Sequence, residues 1–122
     1  MTFRLPLLAA LAALTPVPLA AQVATPAPLT LEQRTMVHCS AAFALVANRQ
    51  QGGEQEALAF PALADRGREY FVRAMASLID SAGLDRTAVA ALLDAEARNL
   101  AESKALYKAM PGCLLALEAS GL

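Results

Sequence analysis

Apolar positions recur along the chain at three- and four-residue spacing, and no segment alternates with period two. That pattern predicts helices and no strands. The first helix should begin at Thr30. Thr30-Leu31-Glu32-Gln33 has the form of a capping box, with the threonine oxygen accepting from the N–H of Gln33 and Gln33 reaching back. Met36, Cys39, Phe43 and Val46 then lie on one stripe, and Gly52-Gly53 should end the helix. Residues 54–60 fit a short helical turn or a loop. Pro61 is expected to open the next helix at its first position, with Leu63, Gly67, Tyr70, Phe71, Ala74, Leu78 and Ile79 inward and Gly83 as C-terminal cap. Gly67 within that stripe costs roughly 1 kcal/mol of helix propensity relative to alanine, which suggests close approach of a neighbouring helix. Asp85 should cap a third helix, with Leu84 packing on Val89 as a hydrophobic staple. Val89, Leu92, Leu93, Ala97 and Leu100 form its stripe, with Glu96 the polar intruder at the edge. This helix is expected to run to about Lys108, where Pro111 breaks it and starts a last short helix with Cys113, Leu114 and Leu117 inward.

The N-terminal residues follow a different logic. Arg4 precedes the apolar run Leu5–Leu14, Pro16 and Pro18 stop it, and small residues follow at Ala20 and Ala21. This is the layout of a secretory signal peptide over residues 1–21, cut after Ala21 with Ala20 and Ala24 as alternatives. The run is too short for the roughly 20 residues that span a bilayer. Residues 22–29 contain Pro26 and Pro28 and read as a flexible lead-in. Residues 30–122 form the predicted domain, an all-α bundle of about four helices. Export would place it in the periplasm or outside the cell, with no transmembrane segment after signal removal.

Composition narrows the partners. Ten Lys+Arg against eleven Asp+Glu give a formal net charge of −1, and loss of Arg4 leaves the remainder still weakly acidic. Neither nucleic acid nor an anionic membrane surface is an expected partner. Aromatics are 5% and tryptophan is absent, so the core must be built from alanine and leucine. Such a core suits closely packed helices.

Cys39 and Cys113 are the only cysteines. In an oxidising compartment they should join, tying the first helix to the last. A closed loop of about 75 residues predicts roughly 4 kcal/mol of stabilisation from chain entropy. The spacing is not C-x-x-C, which argues against a redox pair.

Other chemistry is thin. His38 is the only histidine and neighbours Cys39, but consecutive helical side chains point about 100° apart, so the two do not face each other. Met36, Met75 and Met110 are candidates for a His–Met haem site with His38, yet methionines at helical spacing usually fill cores. No C-x-x-C-H, H-x-x-x-H or Glu-x-x-His pattern is present, so no metal or cofactor is expected. Asp94 and Glu96 are splayed by their spacing of two. Asp65 and Glu69, beside Arg66, Arg68 and Arg73, suit a solvated face with helix ion pairs. No catalytic residues are expected.

His38-Cys39-Ser40-Ala41-Ala42-Phe43, Gly67-Arg68-Glu69-Tyr70-Phe71 and Pro111-Gly112-Cys113-Leu114 resemble small, uncharacterised exported helical proteins of Gram-negative bacteria. The plan of one early and one late cysteine also resembles, in layout, the periplasmic acid-stress chaperones. The leading expectation is a non-enzymatic envelope protein that binds another protein or a small apolar ligand. An acid- or stress-responsive chaperone is the alternative, and a small enzyme or electron carrier using His38 is the third.

Overall fold

The computed structural model describes residues 27–122. The expected signal peptide and most of the lead-in lie outside the described residues. The rest is all-α: α1 (Leu31–Gln51), the one-turn α2 (Gln55–Leu58), α3 (Arg66–Ala82), α4 (Arg86–Glu102) and α5 (Leu106–Ala119). Four long helices thus make the bundle, and α1 packs on α2, α3, α4 and α5.

The local signals at the start of α1 act as expected. Gln33 N–H donates to Thr30 Oγ1 at 3.1 Å, and Thr30 N–H donates to Gln33 Oε1 at 2.9 Å, closing the capping box. Burial along α1 is broader than one stripe. Cys39, Ser40, Ala41, Ala42 and Phe43 are all buried, which a single helical face cannot achieve. Partners on several sides bury them, and the four small side chains in that run let the neighbouring helices come close.

Asp85 Oδ1 accepts from Ala88 N–H at 2.7 Å, capping α4, and Gly83 ends α3 with φ 65°, the left-handed conformation that glycine adopts without penalty. Leu84 packs into the small cluster containing Val37, Leu78 and Val89, as a staple would. The main cluster joins Phe43, Val46, Leu63, Leu100, Leu106, Met110 and Leu117.

Both proline assignments need correction. Pro61 does not open a helix; α3 starts five residues later, after its N-cap Asp65. The Gln50 side chain holds the intervening segment in a non-helical path. Its Nε2 donates to the carbonyls of Ala57, Phe60 and Pro61, and its Oε1 accepts from Leu63 N–H at 3.1 Å. Leu63 is nevertheless fully buried, as its place in the stripe suggested.

Pro111 does not break a helix but lies inside α5. The break falls earlier: α4 ends at Glu102 and Lys104 turns the chain at φ 57°. A left-handed lysine costs about 1–2 kcal/mol. Burial of Leu100 and Leu106 on either side of the turn offsets that cost. In α5 the missing N–H of Pro111 leaves Tyr107 O without its helical donor. Pro111 is exposed, so water can reach that region. Leu106, Met110, Cys113 and Leu117 form one continuous buried stripe across the proline.

Candidate apolar groove

Cys39 and Cys113 form a disulfide, with Cα atoms 5.2 Å apart and a sequence separation of 74. Both are 1% exposed. The crosslink fastens the middle of α1 to α5.

One turn away from it on both helices lies a groove of about 780 Å³. Met36 and Leu31 from α1, Tyr70 and Ala74 from α3, and Ala116 and Ala119 from α5 supply its apolar walls. Ala74 on α3 and Ala116 and Ala119 on α5 are too short to fill the space between helices that the disulfide and the α1 contacts hold in place. Leu31, 73% exposed, stands at the groove rather than in the core.

Three of the polar residues around the groove are engaged. Thr35 Oγ1 donates to Leu31 O at 2.9 Å, and Ser120 Oγ donates to Leu117 O. Arg73 Nε pairs with Glu69 Oε1 at 3.0 Å, and its Nη1 donates to Ser120 O at 3.3 Å, linking α3 to the end of α5. The expected ion pairing on that face of α3 is therefore present as Glu69–Arg73. Tyr70 lies with its ring edge-on to Phe43, centroids 5.2 Å apart. Burial, and then the nearby Glu32 carboxylate, push the Tyr70 phenol above its ordinary pKa, so the hydroxyl remains a donor at neutral pH.

His38 does not face Cys39, whose sulfur is in the disulfide. Its Nδ1 lies 2.6 Å from Glu96 Oε1, a pairing that accounts for the polar intruder on the α4 stripe. Residue spacing alone could not match these two groups, since they lie 58 positions apart. They line a second, shallower depression with Leu29, Arg34 and Asn99. Asp94 points elsewhere and pairs with Arg98 at 2.8 Å, so Asp94 and Glu96 are splayed as their spacing implied. Met110 is sealed in the main core and Met75 packs on the Val37–Leu78–Val89 cluster, whereas His38 is partly exposed. Among the described residues no three His, Cys, Asp or Glu side chains gather as a metal site would require. No described helix is long and apolar enough to cross a membrane.

A further polar cluster joins Arg49, Glu54 and Tyr107. Arg49 Nη1 donates to the Tyr107 hydroxyl at 3.2 Å, the hydroxyl donates to Glu54, and Phe60 stacks on the Tyr107 ring. Its hydrogen bonds are mutually satisfied, and it fastens the α1–α2 turn to α5.

The groove itself was not legible from periodicity. Tyr70 reads as core by spacing; the available signal was its hydroxyl, which needs a partner when buried. Ala116 and Ala119, one turn apart, were the other signal.

Fold and groove together define a class: a disulfide-closed helical bundle with an apolar groove beside the crosslink. The chain matches no protein-family model, and no curated protein or solved structure matches it.

Proposed function

We propose that this is an exported, non-enzymatic binding protein of the periplasm or extracellular space, and that it takes a small apolar ligand in the groove between α1, α3 and α5. The observation that carries the reading is the groove. Its volume of about 780 Å³ falls within the roughly 300–1,000 Å³ typical of small-molecule sites. Its lining is apolar with a few polar groups at the edge, the composition such sites share. The signal-like N-terminus and the buried disulfide support an oxidising compartment.

The test uses N-phenyl-1-naphthylamine, an uncharged probe that fluoresces in apolar surroundings. The wild-type protein should bind it saturably. Ala119→Trp, which places an indole in the groove from an exposed position, should abolish the signal while helicity is retained. Ala95→Trp, in the second depression, should leave it unchanged. No saturable signal, or equal binding by wild type and Ala119→Trp, would refute the reading.

A further inference from the structure

The groove contains a hydroxyl that the fold leaves without a partner. Tyr70 is 8% exposed, and its hydroxyl makes no hydrogen bond among the described residues. It is not sealed in the interior either: the only fully enclosed side-chain polar atom lacking a partner among the described residues is Ser40 Oγ. The Tyr70 hydroxyl is thus reachable from outside, and its residue lines the groove. A hydroxyl in apolar surroundings is costly unless bonded, so an occupant that supplies an acceptor there gains over one that does not.

The surrounding charges select among acceptors. Arg73 is neutralised by Glu69 at 3.0 Å. Glu32 also lines the groove and forms no ion pair among the described residues. An incoming carboxylate would thus meet an unpaired carboxylate at the exposed rim of the groove, where like charges repel. A neutral oxygen would meet no such repulsion and could accept from the Tyr70 hydroxyl.

We infer that the groove selects an uncharged amphiphile whose carbonyl or ester oxygen accepts a hydrogen bond from the Tyr70 hydroxyl while its hydrocarbon part lies against Met36, Ala74 and Ala116. This rests on the apolar-ligand reading above and adds the chemical class of the ligand. Tyr70 acts as the specificity-determining donor, and Glu32 discriminates against anions.

The experiment is displacement of N-phenyl-1-naphthylamine by methyl laurate and by laurate, which share a chain and differ in charge. Methyl laurate should displace the probe at lower concentration. Tyr70→Phe should weaken methyl laurate by about three- to tenfold relative to the probe, which has no oxygen acceptor, the range of one net hydrogen bond. Glu32→Gln, at an exposed position, should narrow the difference in affinity between laurate and methyl laurate. Laurate binding as tightly as its ester, or an ester affinity unchanged relative to the probe in Tyr70→Phe, would overturn the inference while the groove reading stands. Failure of the wild type to bind the probe at all would remove both.

Discussion

Gly67 in α3 and Gly112 in α5 allow one substitution to be run in two environments. Alanine in place of glycine inside a helix gains about 1 kcal/mol of propensity. At Gly112 a new Cβ would meet nothing within 4 Å, so the gain should appear in full and Gly112→Ala should stabilise by about 0.5–1 kcal/mol. At Gly67 the same Cβ would lie 3.1 Å from Phe43 Cβ and 3.5 Å from Leu63 Cβ. Both neighbours are fully buried, and Phe43 Cβ is fixed to the α1 backbone, so no side-chain rotation relieves the contact. The helices must separate by a few tenths of an ångström, which also loosens the Phe43–Tyr70 ring pair. Overpacking of this kind costs about 1–3 kcal/mol and outweighs the propensity gain. Gly67→Ala should therefore destabilise by about 1 kcal/mol, leaving the variants about 2 kcal/mol apart. Thermal unfolding followed by circular dichroism reads this directly, at about 4–8 °C per kcal/mol for a domain of this size. If Gly67→Ala melts at or above wild type and level with Gly112→Ala, close approach of α1 and α3 is not what requires glycine.

Replacing both Cys39 and Cys113 by alanine should remove about 4 kcal/mol, since the crosslink spans 74 residues, and urea unfolding of the variant against the oxidised wild type measures it; a loss below about 1 kcal/mol would contradict the chain-entropy argument. The two tyrosines make stability fall at alkaline pH. Burial raises both phenol pKa values above 10.0, with Glu32 reinforcing the shift at Tyr70 and Glu54 opposed by Arg49 at Tyr107. The folded state then holds more protons than the unfolded state, so the stabilisation is complete below about pH 10 and is lost as pH rises through the folded values. Urea midpoints taken across that range should drop less steeply in Tyr70→Phe than in wild type, and parallel curves would exclude a contribution from Tyr70.

Helix starts were legible where a side chain caps its own backbone, because Thr30–Gln33 and Asp85–Ala88 are contacts three residues apart. Helix ends were legible at Gly52-Gly53 and Gly83 for the same local reason. The misread boundaries depend on distant partners. Pro61 is overruled by Gln50, eleven positions away, and Lys104 takes a left-handed turn with neither glycine nor proline to announce it. The disulfide could be read from cysteine count and the signal-like N-terminus, since two cysteines admit one pairing. His38–Glu96 and the groove could not, because each needs the mutual placement of separate helices.

The disulfide and the groove are one construction rather than two features. Thr35 and Met36 precede Cys39 by one turn on α1, and Ala116 follows Cys113 by one turn on α5, so the crosslink sits at the inner end of two of the groove's walls. Arg73 fixes the outer end by its bond to Ser120 O. A wall of alanines cannot hold itself open by bulk; between packed helices such a gap would ordinarily close, because the interior gains contacts by collapsing. Here α5 is held to α1 by a covalent link on one side and by Leu106, Met110 and Leu117 in the core beyond it, so it cannot tilt inward without straining either. An apolar groove can therefore persist in a chain with only a small core. The bundle's principal staple and the width of its groove rest on the same pair of sulfur atoms.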